Sequence, residues 1–200
     1  DLVAVCRLST ALLPITITNA LGASSWREFV ALAKQNPGKY WCGAPGLVTI
    51  GSGGVNVTSS SVQPTVTVTS TAAGISITSG GIQGKGDVSL SAAGDILVSG
   101  HGIANTSGTG KIDVVTSSGA VTIESSGLRS KGNVTVQGTG LISVTNVGIS
   151  VTGSTAATVS ITSSAGGISV SGGGVQAKGD ITLSAAGDIT NTNSGIGNSS

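Results

Sequence analysis

The chain carries little charge and few aromatic rings: charged residues make up 8% and aromatics 2% of its 200 residues. A net charge of +1 gives no electrostatic case for binding nucleic acid or an anionic membrane, both of which require a concentrated basic surface. No apolar run reaches the ~18–20 residues that cross a bilayer, so no membrane span is expected. Asp1 opens the chain without a basic stretch ahead of the apolar residues. That is unlike a signal peptide, so any export signal is expected upstream or not at all. The low charge does not mean disorder. Unfolded chains are poor in aliphatic residues, whereas Val and Ile recur here at regular places.

What is present is distributed unevenly. Residues 1–46 hold both Trp, the single Tyr, the single Phe, both Cys and three of the four Pro. From residue 47 onward the chain is almost entirely Gly, Ser, Thr, Val, Ile and Ala, with sparse Lys, Asp and Asn. Two unlike pieces therefore meet near Gly46. Cys6 and Cys42 lie in the first piece, and sequence leaves open whether they are free or bridged.

The first piece reads as α/β. Leu12–Thr18 alternates like a strand. Ser25 precedes Glu28 at capping-box spacing, and Trp26, Phe29, Val30 and Ala33 share one helical face. Pro37-Gly38 stops that helix, and Lys39–Gly43 suits another strand. Asp1–Val5, the Leu12–Thr18 strand, Ser25–Lys34, Asn36–Lys39 and Gly43–Gly46 together resemble an internal stretch of the Bug family. These are the extracytoplasmic solute receptors of tripartite tricarboxylate transporters. The resemblance implies a two-lobed periplasmic fold that binds carboxylates. It covers residues 1–46 and stops where Leu47-Val48-Thr49-Ile50 begins the repeats.

The second piece is repetitive, and repeats take precedence in reading a fold. Residues 66–103 align without a gap on 159–196, at an offset of 93. Gly81–Leu90 matches Gly174–Leu183, and Ser91–Ile96 is identical to Ser184–Ile189. A half-period copy, Gly127–Val134, lies between them.

Each unit has three aliphatic beats. The first is Val48/Ile50, Val66/Val68, Val88/Leu90, Ile112/Val114, Val134/Val136, Val159/Ile161 and Ile181/Leu183. The second is Val55/Val57, Ile75/Ile77, Ile96/Val98, Val121/Ile123, Ile142/Val144, Ile168/Val170 and Ile189. The third is Val62, Ile82, Ile103, Leu128, Ile149, Val175 and Ile196. Residues two apart in a strand face the same way, so each pair points inward with a Ser or Thr outward. Gly, Asn and Asp between beats supply turns. Three short strands close a triangular coil, and coils stacked at ~4.8 Å pair each strand with its copies.

The expected fold is all-β: a three-sided parallel β-solenoid of seven coils over residues 47–200, with a short α/β remnant at 1–46. A β-sandwich also has many short strands but does not require them to repeat near-identically. An amyloid-like zipper is disfavoured by the frequent Gly. The Gly-Asp-aliphatic turns followed by Ser-Ala-Ala-Gly-Asp-Ile (Asp87 to Ile96, Asp180 to Ile189) resemble filamentous-haemagglutinin-like and autotransporter-adhesin passengers. That resemblance implies a structural or adhesive rod on a bacterial surface or secreted from it, with the periplasm as the alternative if the receptor piece sets location.

Little in the repeats suggests chemistry. His101 is the single histidine, and no residue is placed to orient it as a triad requires; it reads as a surface turn residue. Asp87, Asp95, Asp180 and Asp188 each follow Gly and precede an aliphatic beat. That is a turn position rather than the paired acids of a glycosidase. The nonapeptide period of calcium-binding repeats is missing. Lys85, Lys131 and Lys178 share one position on alternate coils, a sparse basic row that touches an anionic glycan or discourages edge pairing. An ice-binding face would need threonines in one row. The row read here, Thr49, Thr67, Ser89, Asp113, Thr135, Ser160 and Thr182, is broken at Asp113.

We therefore expect no catalytic residues, cofactor or metal. The expected partner is a surface glycan or protein, with self-association through the C-terminal coil edge. Because a cleft needs two lobes, residues 1–46 should form no receptor site. Calorimetric titration with citrate should give no saturable heat; micromolar binding would support a receptor after all.

Overall fold

The computed structural model describes residues 42–44, 46–57, 63–106, 109–153 and 156–198. Of the remnant expected at residues 1–46, residues 1–41 with its helix lie outside them, as does Val62. Within them every element is a strand, and all pairing is parallel.

Numbered along the chain, the strands fall into three sheets of seven. The first sheet stacks β1 (Cys42–Ala44), β4 (Val66–Ser70), β7 (Val88–Ala92), β10 (Ile112–Thr116), β13 (Val134–Gly138), β16 (Val159–Ser163) and β19 (Ile181–Ala185). In the second are β2 (Val48–Ile50), β5 (Ile75–Ile77), β8 (Ile96–Val98), β11 (Val121–Ile123), β14 (Ile142–Thr145), β17 (Ile168–Ser171) and β20 (Ile189–Thr192). The third holds β3 (Val55–Asn56), β6 (Ile82–Gly84), β9 (Ile103–Asn105), β12 (Leu128–Ser130), β15 (Ile149–Val151), β18 (Val175–Ala177) and β21 (Ile196–Asn198). Each strand pairs with the strand three elements away, so the chain winds as a three-sided parallel solenoid. At ~4.8 Å per coil, first and last strands of a sheet are ~29 Å apart.

The aliphatic beats line the inside. Ile82, Ile103, Leu128, Ile149 and Val175 pair in register down the third sheet and are fully buried, with Ile196 partly buried at the end. In the second sheet Ile75, Ile96, Val121, Ile142 and Ile168 form one buried column, and Ile77, Val98, Ile123, Val144 and Val170 form another. Each such side chain contributes ~1.5–3 kcal/mol through burial. The first-sheet strands are longer than the beats suggest. A third inward position ends β4, β7, β10 and β16 at Ser70, Ala92, Thr116 and Ser163, all buried.

The first coil differs in phase from the sequence reading. Val48–Ile50 pairs with Ile75–Ile77 and so belongs to the second sheet, not the first. Val55 pairs with Ile82 in the third sheet, not the second. The first-sheet strand is Cys42–Ala44, in register with Val68–Ser70. Aliphatic spacing alone cannot tell one sheet from another. What sets the phase is a column of corner glycines ahead of the third sheet. Gly54, Gly102, Gly127, Gly148 and Gly174 all have positive φ, between 58° and 78°. A Cβ on any of them would run into a glycine carbonyl of the next coil. Gly54 abuts Gly81 in this way, and that makes Val55 a third-sheet residue.

Gly127, at φ 65° with the Gly148 carbonyl against its α-carbon, should tolerate no side chain. Gly127→Ala should cost ~3 kcal/mol from backbone strain and overpacking together. Gly53→Ala, with nothing within 4 Å, should stay within ~0.5 kcal/mol. Urea unfolding of the two variants checks the contrast.

Candidate functional site

The acids and amides at strand starts hold the next coil. Asp87 Oδ1 accepts the Lys111 backbone N–H at 3.0 Å, while the neighbouring Val88 N–H donates to the Lys111 carbonyl at 2.9 Å. Asp95 Oδ1 accepts from Ala120 N–H at 2.8 Å, and Ile96 N–H donates to the Ala120 carbonyl at 2.9 Å. Asn133 Oδ1 accepts from Thr158 N–H at 3.0 Å, and Val134 N–H donates to the Thr158 carbonyl at 2.9 Å. In all three an Asx side chain and the following N–H grip both polar groups of one residue in the coil above. The grip reads backbone alone, since the residue held is Lys, Ala or Thr. The sequence placed these Asp residues at turns but missed the grip. Its signal was present in the tendency of Asp and Asn oxygens to capture nearby backbone N–H groups.

Buried hydroxyls serve the corners in a related way. Ser70 Oγ donates to the Gly46 carbonyl at 2.7 Å, Thr116 Oγ1 to Gly94 at 2.5 Å and Ser163 Oγ to Gly140 at 2.7 Å. The Asn105 side-chain amide donates to the Gly86 carbonyl. Among the described residues no buried side-chain polar atom lacks a partner.

One corner of the prism carries a row of lysines alongside Asp87 and Asp180. Lys85, Lys131 and Lys178 follow β6, β12 and β18, in the turn from the third sheet to the first. Sequence reading found that row but not Lys111 at the same corner, nor Arg129 on the outward column of the third sheet. That column runs Asn56, Gln83, Ala104, Arg129, Ser150, Gln176 and Gly197. Lys111 Nζ lies 2.8 Å from Asp113 Oδ2. The hydrogen bond that the Lys111 ammonium donates to Asp113, and then the charge of Asp113, raise the Lys111 pKa above the ordinary lysine value. Such an exposed pair adds little stability, and what it adds is present at neutral pH and fades only as pH rises past that value. Beside Arg129 an open groove of about 400 Å³ is also lined by Val147, Ser150 and Gln176.

No catalytic constellation forms around the other sequence candidates. His101 is an exposed turn residue with Nδ1 2.7 Å from the Ser79 carbonyl oxygen. Asp87 and Asp95 stand at opposite ends of β7. Among the described residues no group of three or more His, Cys, Asp or Glu is placed to hold a metal ion, and no helix is long and apolar enough to cross a membrane. The threonine row changes membership: Thr49 stands in the second-sheet column with Ser76, while Thr67, Ser89, Asp113, Thr135, Ser160 and Thr182 remain in register in the first. Asp113 still interrupts it.

If the Asx grip is a hydrogen-bonding device, an amide should serve as well as a carboxylate, as Asn133 does. Asp95→Ala should lower stability by ~0.5–1.5 kcal/mol by removing the exposed hydrogen bond to the Ala120 N–H, whereas Asp95→Asn should keep most of it. Equal losses, read by urea unfolding, would assign the effect to charge.

No curated protein and no solved structure matches the chain. The family model for the haemagglutinin repeat matches twice, over residues 23–100 and 101–193. The first match begins inside the segment that resembles the solute receptors. The two matches abut in the Gly100–His101 turn, just ahead of the corner glycine Gly102 and β9. Together they take in most of the chain, including every strand described above except β21. With its repeated Gly-Asp-aliphatic corners and its three-sided stack, the chain belongs to the haemagglutinin repeat family.

Proposed function

We propose that this chain is a structural and adhesive rod segment of a secreted or surface-exposed bacterial protein, without catalysis. The observation that carries this reading is the use to which the polar groups are put. The carboxylates of Asp87 and Asp95, groups that a β-helical hydrolase or lyase would need free, grip backbone amides of neighbouring coils. The buried hydroxyls are spent on corner carbonyls. What remains outward is a periodic surface of Ser and Thr with a row of lysines along one corner. Such a surface suits repeated shallow contacts with a glycan or protein better than enclosure of a small substrate, for which pockets are concave and largely apolar. Membership of the haemagglutinin repeat family favours the same reading.

The full chain should bind surface glycans or host-surface proteins in an immobilised-ligand assay and leave the glycans intact. Appearance of new reducing ends or unsaturated uronates, abolished by Asp95→Asn, would make it an enzyme and overturn the proposal.

A further inference from the structure

The third sheet carries a comb of side chains on its outer face. Its outward column runs Gln83, Ala104, Arg129, Ser150 and Gln176 through successive coils, long and short in alternation. The alternation is written into the repeat: Gln83 and Gln176 are equivalent at the offset of 93, and Arg129 is their half-period counterpart. Two residues further on, at the corner, the same coils carry Lys85, Thr106, Lys131, Thr152 and Lys178. A long polar side chain and a lysine therefore recur on every second coil, ~9.6 Å apart at twice the ~4.8 Å rise. A small residue and a threonine lie between.

The slot between Arg129 and Gln176 is the groove of about 400 Å³, in the middle of the stack, and Ser150 is its floor. On one flank Val147 is 43% exposed, and Gly173, which lies against the Val147 backbone, has no side chain to cover it. Thr152 stands exposed on the other flank. The side chains of Arg129, Ser150, Thr152 and Gln176 make no hydrogen bond or ion pair with another described residue, unlike the hydroxyls committed to corner carbonyls. Charge is also least compensated here. Lys85 and Lys178 each stand two residues before an aspartate, Asp87 or Asp180, and Lys111 on an intervening coil is paired with Asp113 at 2.8 Å. On the Arg129 coil Asn133 takes the aspartate's place, so the stretch from Arg129 to the end of β13 has two cations and no acid. Glu124 lies ahead of β12, away from that corner, and is in no ion pair with either cation.

We propose that this slot binds a uronate residue of a linear polysaccharide whose chain lies along the comb. The proposal rests on the adhesive reading and names its ligand. The planar fork of Arg129 pairs with a carboxylate through two parallel hydrogen bonds, which an ammonium cannot offer, and Lys131 adds a second positive charge nearby. Ser150, Thr152 and Gln176 supply donors and acceptors for ring hydroxyls, and Val147 supplies an apolar patch for the C–H face of a pyranose. A sugar with hydroxyls on its rim, apolar faces and one carboxylate meets each of these groups. The period selects a polymer. Two coils span close to the length of a disaccharide in an extended β-linked chain, so a glycan with a uronate at every second sugar stays in phase with Gln83, Arg129 and Gln176. A folded protein surface has no such period. Because the middle tooth alone is a cation, the comb fits one carboxylate at that slot rather than the dense sulfates of heparin.

The test uses the full 200-residue chain and immobilised hyaluronan, in which every second sugar is a glucuronate, beside carboxyl-reduced hyaluronan, heparin and dextran. Hyaluronan should be bound in preference to the other three. Arg129→Ala should weaken that binding at least about tenfold, the ratio that ~1.4 kcal/mol produces. Arg129→Lys should recover little of it, because the charge stays and the fork is lost. Ser150→Gln fills the slot without changing charge and should weaken binding as much as Arg129→Ala. These side chains all point outward, so urea unfolding of each variant should match the parent chain. Preference for heparin, full recovery by Arg129→Lys, indifference to Ser150→Gln, or equal binding of carboxyl-reduced hyaluronan would overturn the proposal. Binding of another surface ligand that none of these substitutions changes, with hyaluronan unbound, would leave the adhesive reading standing while this one fails.

Discussion

Every feature of this protein depends on one constraint: a coil has no inside of its own. Three strands of three to five residues enclose a triangle one side chain thick, and their aliphatic residues escape water only when another coil lies above and another below. Parallel pairing at a fixed rise provides this. It sets Ile on Ile and Val on Val in continuous columns, and by the same register it satisfies the backbone of every strand except those at the two ends. The corners must allow the coils to come that close. Glycines at positive φ do so at the approach to the third sheet, where a neighbouring carbonyl occupies the space a side chain would need.

The polar residues answer to the same constraint. A corner is where the ladder of backbone bonds is interrupted, and the N–H and C=O groups there take partners from side chains. Asp87, Asp95 and Asn133 accept N–H groups that stand just before strands, and Ser70, Thr116 and Ser163 donate to corner carbonyls just after them. The carboxylates of Asp87 and Asp95 therefore act as part of the backbone's hydrogen bonding. This explains how a chain with so little charge comes to place carboxylates regularly at its corners.

Much of this was legible in the sequence, for a definite reason. A column needs an aliphatic residue at one position of every coil, so the third-beat series Ile82, Ile103, Leu128, Ile149, Val175 announces itself without reference to structure, and the pleat gives the sidedness of each pair. The phase of the first coil was not legible from the beats. Between Ile50 and Val66 the chain offers aliphatics that suit any of the three sides, and Cys42–Ala44 is too unlike the later first-sheet strands to be recognised. The glycine pair Gly53-Gly54, matching Gly80-Gly81, was the clue, because the corner demands glycine more strictly than a strand demands valine. The Asx grip was half visible: the residue types were noted as turn formers, but the partner lies 24 or 25 residues away, and only the coil length brings it near. The lysine row was seen in part, because Lys111 falls at a different place in the unit and comes to that corner only when it is wound.

The central claim, that the columns run straight along a stack of parallel coils, can be read as a distance. Thr49 and Thr190 occupy one outward column of the second sheet, six coil spacings apart. Spin labels on cysteines at these two positions, in chains lacking Cys6 and Cys42 and diluted with unlabelled protein, should give by pulsed dipolar spectroscopy a single distribution centred near ~29 Å, six times the ~4.8 Å spacing. A distribution centred well below ~20 Å, as when strands fold back on one another across a sandwich ~10 Å thick, or a broad one without a peak, would contradict the solenoid.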